Sequence, residues 1–89
     1  MDLGDALAAN IRSMRARKQL GQESVASRMR DLGFATWTRQ TVGSTEKPTR
    51  RVTAEEIFGL AQVFDTTVAP LMEMSGNGAV HFPNGQDVP

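Results

Sequence analysis

Between Leu20 and Arg51 lie the residues of this chain whose types and spacing suggest chemistry. Leu20-Gly21-Gln22-Glu23-Ser24-Val25-Ala26 opens one short amphipathic segment, and Trp37-Thr38-Arg39-Gln40-Thr41-Val42-Gly43-Ser44-Thr45-Glu46-Lys47 holds a second. The second starts with long polar side chains, Arg39 and Gln40, and runs into a basic turn ending in Arg50-Arg51. An arginine can donate two hydrogen bonds to guanine O6 and N7, and a glutamine can pair both edge groups of adenine. Two helices in series, the second reaching forward with such groups and held by the first, form the layout needed to read base edges in a groove. The turn residues Lys47, Thr49, Arg50 and Arg51 would flank the phosphate backbone, adding affinity and register without sequence information. Arg51 has a plainer alternative, an ion pair with Glu55 or Glu56.

The elements that must position these residues fit in one small domain of 89 residues. Leu3, Leu7, Ile11 and Met14 repeat at helical spacing, with Asp2 and Asp5 at the front and Arg15, Arg17 and Lys18 at the end, so the first helix spans residues 2–18. Gly21 stands at an N-cap with Leu20 and Val25 as a staple, and the second helix runs from Gln22 to about Leu32, stopped by Gly33. Thr38 caps the third helix, with Trp37 and Val42 as its staple, and Lys47-Pro48 ends it near Glu46. Thr53-Ala54-Glu55-Glu56 is a capping box for a fourth helix whose Ile57, Leu60, Ala61 and Phe64 face the core. Thr67 caps a short fifth, with Pro70 in its first turn and Leu71 and Met72 inward. The pattern predicts an all-α, compact bundle of five short helices over residues 1–74, with no strand, and a flexible tail over 75–89 rich in Gly, Asn and Pro.

Composition narrows the function. The formal net charge is zero, yet all ten Lys and Arg residues fall between Arg12 and Arg51. Only Glu23, Asp31 and Glu46 oppose them there, leaving that stretch at +7 and its flanks at −7. Phosphate attraction is local, screened beyond about 10 Å at ordinary salt, so the distribution outweighs the sum. The plain reading of the same charge is a solvated basic face. With no cysteine, and no apolar run long enough for a signal peptide or membrane span, the expectation is a soluble, cytoplasmic protein with no membrane partner. An enzyme is not expected: the one histidine, His81, lies in the tail, and no cysteine or tyrosine is present to pair with it. Glu55 and Glu56 point about 100° apart on a helix and form no paired site. No metal or other cofactor is expected, for want of ligands.

In order and spacing these pieces resemble the lambda-repressor-like helix-turn-helix domain, the Xre or Cro type. The resemblance covers about residues 3–73. It is carried by Leu20 to Ala26 in the second helix, Arg39 to Glu46 in the third, the charged turn after it, Ile57 to Ala61, and Val68 to Met72. It implies that the third helix enters the DNA major groove. The family's base-facing positions fall on Arg39, Gln40 and, one turn later, Ser44. Thr38 or Thr41 would touch a phosphate or a thymine methyl, and Gln22 matches a phosphate-holding position at the front of the second helix. Glu46 matches a position that pairs with an arginine late in the first helix, here Arg15, which would neutralise the acid beside the DNA surface.

The chain departs from the family between the second and third helices, where Arg30 to Trp37 makes the turn several residues longer. Part of the excess extends the second helix, and Gly33-Phe34-Ala35-Thr36 forms a loop that sets the angle of the third. Phe34 and Trp37 are expected as a satellite core over this loop rather than as stacking platforms for single strands. A single reading helix binds little DNA, so a homodimer is expected, with Phe58 and Val63, off the core stripe, and Met74 forming its contact. The resulting function is a sequence-specific regulator of double-stranded DNA, most simply a repressor. The alternative is a protein-interaction module, such as an antitoxin or docking domain, that uses the same patch for a protein partner.

Overall fold

The computed structural model describes residues 2–48 and 50–74, together with the backbone of 80–81 and 87–88. Five helices follow one another: α1 (Leu3–Arg17), α2 (Gln22–Asp31), α3 (Arg39–Thr45), α4 (Ala54–Val63) and α5 (Val68–Met72). They start and stop close to where the capping residues and prolines predict. Beyond them Val80–His81 pairs antiparallel with Val88 and Asp87, in the register Val80↔Val88 and His81↔Asp87. That short ladder corrects the strand-free reading of residues 75–89; the rest of the proposed flexible tail lies outside the described residues.

Local chemistry accounts for the helix starts. Asp2, Thr38 and Thr53 each cap their helix reciprocally: the cap side chain accepts from the third residue, whose own side chain accepts from the cap backbone. In α3 that third residue is Thr41, so two threonines close the box where a glutamate usually would. Gly21 and Thr67 stand at N-caps without a side-chain hydrogen bond, so Thr67 caps α5 by backbone geometry alone. The ends of α1, α2 and α4 share one device. Gln19, Gly33 and Asp65 take left-handed backbone angles, φ 57°, 104° and 54°. In each case the next residue donates back to the carbonyl five positions earlier: Leu20 to Arg15, Phe34 to Met29 and Thr66 to Ala61. Only Gly33 adopts that conformation without a Cβ penalty.

The core lies where α2 packs on both α3 and α4, and where α5 closes against α1 and α4. Ile11, Val25, Ala26, Met29, Val42, Leu60, Phe64 and Leu71 are wholly buried there. Gly59 lets α4 come close: a Cβ at that position would stand 2.8 Å from the Phe34 ring and 3.0 Å from the Met29 methyl. The Asn10 amide donates to the carbonyls of Leu71 (2.9 Å) and Glu73 (2.7 Å), satisfying the end of α5 from α1. Among the described residues no buried side-chain polar atom lacks a partner, as a small core with little stability to spare requires. No described helix is long and apolar enough to cross a membrane.

Candidate nucleic-acid interface

Helix α3 is held by its inner face and free on its outer one. Val42 and Thr45 are buried, and the Thr45 hydroxyl donates to the Val42 carbonyl at 2.6 Å, so the side chain brings no unsatisfied group into the core. Arg39 and Gln40 occupy the first turn, exposed, with no side-chain hydrogen bond or ion pair among the described residues. Ser44 is half-buried and its hydroxyl donates to the Gln40 carbonyl at 2.9 Å. Thr38 and Thr41 spend their hydroxyls on the helix cap, 3.2 Å from one another. Lys47 and Arg51 are exposed; Thr49 lies outside the described residues.

The one acid on α3's end is taken out of play. Arg15 grips Glu46 with two donors, Nε to Oε2 and Nη2 to Oε1 (3.1 Å), while its Nη1 donates to the Leu20 carbonyl at 3.1 Å. The Glu46 side chain is only 7% exposed, so its charge is compensated inside the protein instead of facing an incoming phosphate. Hydrogen bonding to Glu46 raises the Arg15 pKa above its ordinary value, against burial, with the carboxylate charge adding to the rise. Gln22 also turns to this pair: its Nε2 lies 3.4 Å from Glu46 Oε1 and above Gly43. The structure thus brings Gln22, Arg15 and Glu46 together where α1, α2 and α3 meet.

Arg50 and Arg51 separate sharply. Arg50, not Arg51, pairs with an acid of α4: its Nη1 and Nη2 donate to Glu56 Oε1 (3.3 Å) and Oε2 (3.1 Å). The ion pair offered as an alternative for Arg51 is thus made by Arg50, which the sequence reading places at the phosphate backbone. Arg51 is exposed, whereas Arg50 is half-buried and its guanidinium lies 5.4 Å from the centre of the Trp37 ring. Burial pushes the Glu56 carboxyl up. Hydrogen bonds from Arg50 and from the Thr53 amide and hydroxyl, together with the Arg50 charge, outweigh burial and hold it below its ordinary value.

Sequence reasoning missed the fastening of the long turn. Arg30 on α2 donates to the Trp37 carbonyl at 2.8 Å and pairs with Glu23 at 2.8 Å. Trp37 is buried, and Phe34 meets its ring edge-on at 6.1 Å, which makes these two aromatics core rather than stacking platforms. Glu23 and Arg30 stand seven residues apart, two turns along one face of α2 and beyond the three- or four-residue spacing that marks a helix pair in a sequence. Nothing local announces that Arg50 would reach Trp37. The expected dimer patch needs a similar correction: Phe58 is 67% exposed and Met74 half-buried, but Val63 is buried, because the helix turns it toward the core. Leu32 is the other exposed large apolar residue among the described ones, and with Arg28, Asp31, Gln62 and Val63 it lines a shallow depression.

No family model matches the chain, and no solved structure matches it significantly. It is similar to control protein C.SmaI of Serratia marcescens, 33% identical over 76 residues that span 85% of this chain and 83% of that protein. The aligned span takes in most of the chain, and the five-helix architecture supplies the paired α2 and α3 of a helix-turn-helix. The chain belongs to the family of that control protein, as a helix-turn-helix regulator.

Proposed function

We propose that this protein is a repressor that binds operator half-sites in double-stranded DNA as a homodimer, with α3 in the major groove. The carrying observation is the contrast within α3: Arg39 and Gln40 are exposed and uncommitted while Glu46 is sequestered by Arg15 and Gln22. Arg39 and Gln40 read base edges, and Ser44 makes a shorter contact one turn on. Lys47 and Arg51 hold phosphates, as do the front of α2 at Gln22 and the capped start of α3 at Thr38 and Thr41. The similarity to a control protein supports a regulatory role, and occlusion of polymerase by the bound dimer, in the cytoplasm, is its simplest form.

Selection of bound sequences from random duplexes at about 150 mM salt, where non-specific binding is weak, tests the reading. The expected product is a two-fold symmetric motif whose half-sites lie about one helical turn, 34 Å, apart. A folded protein that enriches no motif would overturn it and favour a protein partner docking at Phe58 and Leu32.

A further inference from the structure

Helix α3 lies mainly against α2, and the residue that precedes its cap is held both from α2 and from the turn before α4. Arg30 of α2 clamps the Trp37 carbonyl at 2.8 Å. Arg50 covers the Trp37 ring with its guanidinium centre 5.4 Å from the ring centroid, and Phe34 braces the ring edge. Arg50 is itself fixed by both oxygens of Glu56, and Glu56 Oε1 also accepts from the Thr53 amide at 2.8 Å as part of the α4 capping box. A continuous line of contacts therefore runs from the first turn of α4 through Glu56, Arg50 and Trp37 to Thr38, and Thr38 is one residue from Arg39. The planar guanidinium suits this place. It can stack on an indole while presenting a fork of donors to a carboxylate, which an ammonium cannot do.

We propose that Arg50 is a positioning residue for base reading: through Glu56 and the Trp37 ring it sets the placement of Arg39 and Gln40, and it does not itself contact a phosphate. The assignment rests on the proposed DNA-reading role of α3. It gives the long turn between α2 and α3 a purpose. Without such a brace, seven residues between two helices would leave the angle of the reading helix loosely defined, and a bidentate base contact tolerates little misplacement.

Three variants separate a brace from a phosphate contact: Arg50→Gln, Arg50→Lys and Glu56→Gln. Each is measured on the selected duplex and on a random one, across a salt series, alongside its thermal melt. A brace predicts that both Arg50 variants lower the ratio of specific to random affinity by about tenfold, the size of one lost base contact, while the salt slope on random DNA is unchanged. Glu56→Gln keeps an acceptor for the α4 cap and leaves the Arg50 charge intact, yet loosens its fork, and it should lower the same ratio. A phosphate contact predicts the reverse pattern. Arg50→Gln would reduce the salt slope by about 0.9 with the ratio unchanged, Arg50→Lys would restore the slope, and Glu56→Gln would leave specificity intact; that result overturns the assignment alone. A folded wild-type chain with no preferred duplex overturns the DNA reading and the assignment with it. Trp37 is the sole tryptophan, so its emission follows the brace without DNA. The spectrum should shift in both Arg50 variants, and an unchanged spectrum in folded protein removes the cation–π contact and the proposal.

Discussion

At the residue scale, two carboxylates are neutralised in the same way, each by an arginine with a two-pronged grip. Glu46 is nearly enclosed beside Arg15, so removing it strands a guanidinium that has lost its main partner while remaining partly buried. Glu46→Ala should cost about 3 kcal/mol, the lower end for a broken buried pair, because Arg15 is 21% exposed and keeps the Leu20 carbonyl. Chemical denaturation checks this; an unchanged midpoint would remove the structural role. Glu56 makes a prediction in pH. Its folded pKa lies below the ordinary 4.5, so its contribution is fully present above about 4.5 and is lost as the pH falls through the depressed folded value. Melts between pH 7 and pH 3 should show a steeper acid loss for the native chain than for Glu56→Gln. Parallel curves would mean that the Arg50 pairing adds nothing. The Arg15–Glu46 and Arg50–Glu56 partners sit 31 and 6 positions apart. Only the first was legible, through resemblance, and residue types alone could not tell Arg50 from Arg51.

At the element scale, helix ends carry much of the definition. Three helices close with a left-handed residue, and two of those residues, Gln19 and Asp65, have side chains that disfavour it. Gln19→Gly should therefore stabilise the protein by about 1 kcal/mol, a rise in Tm of about 4–8 °C for a domain of this size. A falling Tm would show that the Gln19 side chain or the freedom of the unfolded chain matters more. Asp65→Gly should gain less, since aspartate tolerates that conformation better than glutamine. The helix starts and the Gly33 stop were readable because each rests on groups within about four residues. The end of α1 was placed within a residue from its apolar and charge pattern, but the left-handed conformation of Gln19 and Asp65 was not readable, because residues of those types give no such signal.

At the scale of the whole molecule, the helix proposed to read bases is short. Seven residues of α3 span about 10 Å, enough for about three base pairs, which is too little information for one operator. The proposed operator binding therefore calls for two copies, and the exposed large apolar residues it could use for pairing are Phe58 and Leu32, the latter at the α2–α4 depression. Phe58→Glu should shift sedimentation toward the monomer and weaken binding to a two-half-site duplex far more than to a single half-site. Because Phe58 is 67% exposed, its melt should move little. A variant that stays dimeric would place the contact elsewhere.

The sequence by itself determined which segments become helices, where α3 begins, and that its first exposed turn is Arg39-Gln40, since apolar spacing and capping act over a few residues. Tertiary structure decided what those residues are fastened to. Arg50 turns in and Arg51 out; Val63 joins the core and Leu32 does not; Trp37 is held by its carbonyl and its ring at once. Each of these depends on how neighbouring helices rotate and approach. That is set by packing the core as a whole, and contacts of that range have no fixed spacing to leave in the chain.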